Sequence, residues 1–231
     1  MATVHLYSAD SSSVPDGWER ALPRIASYYR SRASDAGIDE PSRRSEFCAG
    51  LLLAHVLGVA SDDQLVRGAS GKPALAAGTP SFNLSHGGDL VVLATSETDV
   101  GVDVERIPCA LGPMERSAAR RVFAPDERDA LDRADDNEAP DLFARLWTAK
   151  EAVLKALGSG FDVDPRAHPE AMAGWIVNSI RHEGHMIAVA QREPFEIRLV
   201  PLDWERLASK GAGERLRGEA GTEAKERGRH A

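Results

Sequence analysis

The sequence predicts an α+β fold, with helices and mainly antiparallel strands mixed along one chain. Three observations carry that prediction. Helical runs with clear start and stop signals are followed by short strand-like segments around glycine turns. That order, helices first and then antiparallel strands, occurs twice along the chain. The 231 residues are 42% apolar, enough to bury a sizeable core in one large domain or two small ones.

Residues 2–7 alternate weakly and predict an opening strand. Residues 18–32 predict a helix in which Pro23 marks a first turn or a break, because proline lacks the N–H a helix interior needs. Residues 42–57 form the clearest helix of the first half. Pro41 and Ser42 open it, Phe47, Leu51, Leu52 and Leu53 supply its apolar surface, and Gly58 ends it. A loop rich in Gly, Ala and Ser follows and contains Gly71-Lys72-Pro73. Residues 81–85 and 89–95 predict two strands around a His86-Gly87-Gly88 turn, and residues 99–105 a third.

The second half begins with predicted helices at 112–122 and 125–133. Pro125, Asp126 and Glu127 start the latter, with a fixed φ at the first position and acids near the positive helix end. The acidic loop from Asp135 to Pro140 leads to a long helix at 141–157, stopped by Gly158. Residues 175–181 and 185–190 predict a hairpin around Glu183-Gly184, and residues 195–200 a last strand. The stretch 208–231 holds one leucine among Gly, Ala, Arg, Lys and Glu. It cannot bury enough surface to order itself and is expected to be a disordered tail.

A formal charge of −8 argues against nucleic acid as a partner, which requires a basic footprint. The first fifth of the chain is nevertheless rich in arginine: Arg20, Arg24, Arg30, Arg32, Arg43 and Arg44. These either solvate helix faces or receive an anionic small molecule. Cys48 lies in an apolar helical run and reads as a small buried hydrophobe. Two cysteines and no signal peptide lead us to expect a soluble protein of the reducing cytoplasm. The longest apolar run, near 49–57, is interrupted by His55 and too short to span a bilayer, so no membrane role is expected.

The most informative segment is GVDVERI at 101–107. Strand periodicity puts Asp103 and Glu105 on one face and Val102 and Val104 on the other. Two adjacent acids on a half-buried strand repel each other unless a cation or a basic group neutralises them. Paired carboxylates beside a phosphate-bearing substrate suit magnesium. In the helix that follows, Glu151 and Lys155 are neighbours at i and i+4, with Lys150 alongside. Read alone they are a surface pair worth about 0.3–0.5 kcal/mol. The alternative makes Glu151 a third carboxylate and Lys150 and Lys155 phosphate ligands. In FNLSHGG at 82–88, Ser85 and His86 end a strand at a turn that exposes backbone N–H groups. They are either a polar hairpin tip or part of a ligand site. They are not a nucleophile–base pair, since neighbours on a strand face opposite ways. His182 and His185 flank a tight hairpin turn with no third ligand nearby in sequence, which makes them a poor zinc pair.

Taken together, GKP at 71–73, FNLSHGGDLVVLA at 82–94, GVDVE at 101–105 and WTAKEAVLKALG at 147–158 resemble the 4′-phosphopantetheinyl transferase superfamily. The likeness is to its larger, pseudo-dimeric, surfactin-synthetase-activating type and covers about residues 1–207. It implies two similar subdomains, 1–104 and 105–207, related by a pseudo-twofold axis, each a small mainly antiparallel sheet with packed helices. It implies transfer of the 4′-phosphopantetheine arm of coenzyme A to a serine of an apo acyl or peptidyl carrier protein, as in secondary metabolite biosynthesis, with release of 3′,5′-ADP. A monomer is expected, because one chain already holds both halves of the site.

By the same resemblance, Asp103, Glu105 and Glu151 would hold Mg2+ (or Mn2+) against the coenzyme A pyrophosphate, with Lys155 and Lys150 near the phosphates. Lys72 and His86, with Arg43 or Arg44, would hold the 3′-phosphate and adenine end, and Ser85 would line the site. Glu151 would take the proton of the attacking serine, directly or through a metal-bound water, with Asp103 and Lys155 completing the catalytic set. One departure stands out. Relatives often carry further arginines after the position of Phe47, where this chain has Leu51, Ala54 and His55. The alternative reading is a non-catalytic module of the same fold that binds coenzyme A or a carrier protein.

Overall fold

The computed structural model describes residues 1–68, 71–158 and 169–208. Within it, β1 (Ala2–Asp10) carries Val4 and Leu6 at zero exposure, because it runs inside a sheet and not along an edge. It pairs antiparallel with β5 (Leu90–Ser96), which in turn pairs with β4 (Ser81–Gly87). On its other side β1 pairs in parallel with β9 (Phe195–Pro201), giving the order β4-β5-β1-β9. A second sheet has the order β6-β8-β7, formed by β6 (Gly101–Arg106), β7 (Ile176–His182) and β8 (His185–Gln191), all antiparallel. A short ribbon of β2 (Leu65–Arg67) and β3 (Pro73–Leu75) lies between the first helices and β4.

The α+β class is as predicted, and the two halves share a connectivity. In each, an opening strand (β1 or β6) precedes helices and then a hairpin (β4–β5 or β7–β8). In each, the opening strand pairs antiparallel with the hairpin's second strand. The last strand, β9, belongs to the sheet of the first half. Among the described residues no helix is long and apolar enough to cross a membrane.

The helices differ from expectation where backbone chemistry intervenes. The run at 18–32 splits into a tight 3-10 segment at Trp18–Arg24, which contains Pro23, and α1 at Ser27–Ala33. Helix α2 (Glu40–Leu52) starts earlier than Ser42, because the Asp39 side chain accepts a hydrogen bond from the Ser42 N–H at 2.8 Å and caps it. It continues through a wider π turn at Leu53–Leu57 to Gly58, whose φ of 69° ends it as predicted. Helices α3 (Pro113–Val122), α4 (Pro125–Arg133) and α5 (Ala139–Leu157) follow, and α5 also stops at a left-handed glycine, Gly158. Two short helices, α6 (Pro169–Met172) and α7 (Trp204–Ala208), complete the described chain. Ala208 ends α7, and the rest of the expected tail lies outside the described residues.

β5 reads as an almost continuous apolar run because it is buried on both faces. Val91 and Leu93 face α2, packing with Phe47, Leu51, Leu52 and Leu53. Val92 and Ala94 face the second sheet, with Val102, Val104, Ile187 and Val189. Each such large side chain contributes about 1.5–3 kcal/mol on burial.

Two glycines let the elements that carry the polar residues approach each other. A Cβ on Gly101 would lie 2.0 Å from the Ala152 carbonyl oxygen, so α5 rests directly on β6 along a seam of Ala152, Ala156, Ala188 and Ala190. A Cβ on Gly87 would lie 2.3 Å from the Val104 carbonyl oxygen, so β4 lies equally close to β6. The Asn83 side-chain oxygen accepts from the Val102 N–H at 2.8 Å and ties the two strands.

Candidate active site

The seam at Gly101 lowers one face of α5 onto the acidic face of β6. Val102 and Val104 point into the core between the sheets, so Asp103 and Glu105 share the opposite face, as the period of two predicts. Asp103 is 3% exposed. Its Oδ1 accepts from Lys155 Nζ at 2.6 Å and from Ser85 Oγ at 2.9 Å, while Lys155 Nζ also donates to Ser85 Oγ at 2.8 Å. Three elements, β4, β6 and α5, thus close one polar triangle. Its Asp103 Oδ2 corner is buried and has no hydrogen-bond partner.

The other two acids lie around this triangle. Burial first, and the Asp103 carboxylate second, push Glu105 up to about 7. The indole of Trp147 hydrogen-bonds Glu105 and works in the opposite direction. Glu151 is likewise pushed up to about 7, by burial and then by Asp103, with Lys155 opposing and Glu105 adding to the rise. Asp103, Glu105 and Glu151 therefore form one electrostatic unit facing Lys155.

They are not a ready-made metal cage. Among the described residues no three His, Cys, Asp or Glu side chains converge as a metal cluster. Lys155 has turned to Asp103, leaving its i−4 neighbour Glu151, and Trp147 engages Glu105. Of the two readings of the Glu151–Lys155 pair, the ordinary surface pair is the one the geometry excludes.

His86 lies one residue on from Ser85, on the opposite, exposed side of β4. Its pKa is lowered, chiefly by burial of the ring's surroundings. Glu46 raises it, and Lys155 and Arg32 lower it further. Of these groups, Glu46 has no place in the sequence reading, and Arg32 appears there only among the arginines of the first fifth of the chain. Glu46 is 7% exposed on α2, and Arg32 on α1 reaches it with Nε 2.6 Å from Oε1. The signal was present: an acid in the otherwise apolar run FCAGLLL and its approach is rarely left unpaired.

Four expected ligands are engaged elsewhere. Arg43 and Arg44 stand three and four residues after Glu40 at the start of α2, so both bend back to it, at 3.1 and 2.9 Å. Arg43 also donates to the Ala33 carbonyl and lies over the Trp18 ring. Arg44 also holds Asp16 at 3.0 Å and the Val14 carbonyl. Lys150 is five residues from Lys155, about 140° around the helix, and pairs with Glu127 on α4 at 2.9 Å.

Lys72 donates to the Val100 carbonyl at 3.2 Å and the Ala156 carbonyl at 2.9 Å. It stabilises the negative end of α5, and burial lowers its pKa. Losing these bonds in Lys72→Ala is expected to destabilise the protein by roughly 1–3 kcal/mol, read as a lower denaturant midpoint. An unchanged midpoint with weakened coenzyme A binding would return Lys72 to the phosphate site. His182 and His185 also part company: His182 faces Ser8 and His185 faces Asp89.

This arrangement can hold a multiply charged anion beside Lys155, accept a hard cation at the carboxylate edge, and take up a proton near neutral pH. Comparison with known proteins covers the elements that carry it. A profile of the 4′-phosphopantetheinyl transferase superfamily matches residues 99–185, the span from β6 to the start of β8. The 4′-phosphopantetheinyl transferase AcpT of Escherichia coli O157:H7 is 33% identical over 170 residues, 70% of this chain and 83% of that protein. AcpT of Salmonella typhi is 39% identical over 121 residues, 50% of this chain and 60% of that protein. The 4′-phosphopantetheinyl transferase Sfp of Bacillus subtilis strain 168 is 33% identical over 82 residues, 36% of this chain and 35% of that protein. An identity of one third across most of a relative's length, together with a profile match over the acid-bearing strand and helix, means that this chain is an enzyme belonging to the 4′-phosphopantetheinyl transferase superfamily.

Proposed function

We propose that the protein moves the 4′-phosphopantetheine arm of coenzyme A to a serine hydroxyl of an apo acyl or peptidyl carrier protein and releases 3′,5′-ADP, acting as a monomer in the cytoplasm. The observation that carries this reading is the triangle of Asp103, Lys155 and Ser85 flanked by two carboxyls held near 7. One chain supplies all of it, from β4, β6 and α5, which favours a monomer. Cys48 and Cys109 are both free thiols, in keeping with a reducing compartment.

In the reaction, the carrier serine oxygen bonds to the β-phosphorus as the pyrophosphate P–O bond to the leaving 3′,5′-ADP breaks. The barrier is mainly electrostatic and positional. Lys155, oriented by Ser85 and Asp103, faces the charge that builds on the phosphate oxygens. Glu151, pushed up to about 7 by burial and by Asp103, takes the serine proton as attack proceeds, directly or through a water. His86, with Arg32 and Glu46 behind it, faces the 3′-phosphate end.

The residues present fit a magnesium ion. All donors are hard oxygens, Asp103 Oδ2 is buried without a partner, and the mutual repulsion of the acids calls for positive charge. Magnesium commonly takes only one or two carboxylates, completing its shell from substrate phosphates and water, so a closed protein cage is not required. Asp103, Glu105 and Glu151 would hold it, and once bound it would neutralise pyrophosphate charge; manganese meets the same donor chemistry.

The test is intact-protein mass spectrometry of an apo carrier incubated with this protein, coenzyme A and magnesium. A gain of one phosphopantetheine arm, abolished by chelator, is the expected result. No gain across several acyl and peptidyl carriers with folded protein would overturn the reading in favour of a non-catalytic binding module.

A further inference from the structure

The glycines of the β4–β5 hairpin were expected to form its turn, together with His86. Instead the ladder runs through Gly87, opposite Leu90, and the turn is Gly88-Asp89. This turn is gripped from several sides. Asp89 Oδ1 pairs with the Arg106 guanidinium at 2.5 Å, and His185 Nε2 packs 3.3 Å from the same oxygen without a hydrogen bond to it. The Asp89 backbone carbonyl accepts from the Ser11 N–H at 2.8 Å and the Ser11 hydroxyl at 3.0 Å.

His185 is 2% exposed, and its Nδ1 donates to the Glu183 carbonyl at 2.8 Å, which fixes the ring with Nε2 toward Asp89. Gly88 has φ +59°, and a Cβ there would lie 2.9 Å from Arg106 Nε and 3.0 Å from His185 Nε2. Gly87 rests on the backbone of Val104 and Glu105. Arg106 directly follows Glu105 and pairs with His185 across the β6–β8 ladder.

These contacts lie where the strand bearing Ser85 and His86 meets the strand bearing Asp103 and Glu105. The ladder of each sheet fixes its own strand. Asn83 and Ser85 tie the two strands further along, and at this end the turn and the side chains that hold it complete the tie. A shift of about 1 Å between reacting groups costs about 100-fold in rate.

We propose that Asp89 and His185 are positioning residues. Together with Arg106 they clamp the β4–β5 turn to the end of β6 and so set the approach of Ser85 to Asp103 and Glu105. They touch neither coenzyme A nor the carrier; they act through the strands they join. The proposal deepens the transferase reading and rests on it for its kinetic consequence only.

The test combines transfer kinetics with hydrogen exchange on the full chain, comparing wild type with Asp89→Ala, Asp89→Asn, His185→Ala and His185→Gln. Asp89→Ala is expected to lower kcat about 10- to 100-fold with the KM for coenzyme A within about twofold. Asp89→Asn, which keeps an oxygen acceptor for Arg106, and His185→Gln, which keeps side-chain bulk under the turn and an N–H donor for the Glu183 carbonyl, are expected to recover part of the loss of the corresponding alanine variants. In both alanine variants, exchange in the absence of substrate should accelerate at 83–89 and 101–107 while β1 and α2 keep their wild-type protection.

A folded Asp89→Ala with kcat within twofold of wild type and unchanged exchange at those segments overturns the clamp. So does exchange that accelerates uniformly through both sheets, which marks a merely structural loss. Should Asp89→Ala fail to fold, Asp89→Asn and His185→Gln carry the same comparison with the same two outcomes. Wild-type protein that transfers nothing would sink the transferase reading, whereas the exchange pattern judges the clamp in either case.

Discussion

Asp103→Ala is expected to lower transfer by at least about a thousandfold while leaving the protein folded. One carboxylate supports three things in this site: Lys155 is held at 2.6 Å, Ser85 at 2.9 Å, and a buried second oxygen remains for a cation. A single preorganised group facing transition-state charge is worth about 10²–10³ in rate. Here the substitution also releases Lys155 from its orientation and removes a proposed metal ligand, so the losses compound. The fold should survive for an electrostatic reason. Removing one partner of a buried ion pair is destabilising when it strands the other charge, but Lys155 keeps a partly exposed side chain and can turn to water or to Glu151. The Asp103 charge also raises both Glu105 and Glu151, so its loss should let both carboxyls titrate lower. The checks are carrier modification by mass spectrometry, a thermal melt, and carboxyl titration by NMR. A folded Asp103→Ala protein with wild-type turnover would remove Asp103 from the site, and unchanged titration of the two glutamates would refute the electrostatic unit.

Much of this site was legible in the sequence because it depends on periodicity. A period of two placed Asp103 and Glu105 together and sent Val102 and Val104 into the core. Helical spacing made Glu151 and Lys155 neighbours on one face of α5, and folding lays that face over the two acids. The structure places the side chains assigned by resemblance unevenly around the triangle, and the reason is competition for charge. Arg43, Arg44, Lys150 and Lys72 are all cations with the right chemistry. Each has a nearer acceptor, in Glu40, Glu127 or the carbonyls at the end of α5. For Arg43 and Arg44 the competitor was visible in the chain, since Glu40 precedes them at helical spacing. For Lys72 and Lys150 it depends on elements brought together by folding. Glu46 was missed, and Arg32 was noted only as one of several arginines, because their pairing links two helices and only then reaches His86 on a strand. The glycines of the β4–β5 hairpin were seen as turn formers, but Gly87 is needed for contact between sheets, a property with no local signature.

Glu151→Gln is expected to lower kcat by about 10²–10⁴, the usual range for a lost general base, with coenzyme A affinity changed only a few-fold. That expectation rests on a half-buried carboxyl beside the Asp103–Lys155–Ser85 triangle, pushed up to about 7 by burial and by Asp103 when no cation is bound. An amide of the same shape keeps the packing and loses the proton acceptor. Stability provides an independent check. A carboxyl raised in the folded state binds more protons folded than unfolded between its ordinary value near 4.5 and about 7. Stability therefore falls as pH rises through that window, and the deficit is complete above it. Glu151→Gln removes this deficit, so without divalent metal the variant should melt above wild type at pH 8, and the gap should vanish by about pH 4. Because the charges of Glu105 and Asp103 both contribute to the rise at Glu151, the gain belongs to the group of acids jointly and is expected as a few degrees in melting temperature for a chain of this size. Magnesium should narrow the gap by stabilising wild type more than the variant, since a bound cation offsets the repulsion that glutamine has already relieved. Loss of turnover together with a large loss of coenzyme A affinity would assign Glu151 to binding. A variant that melts below wild type at pH 8 would refute the buried, repelled carboxylate on which its role as base depends.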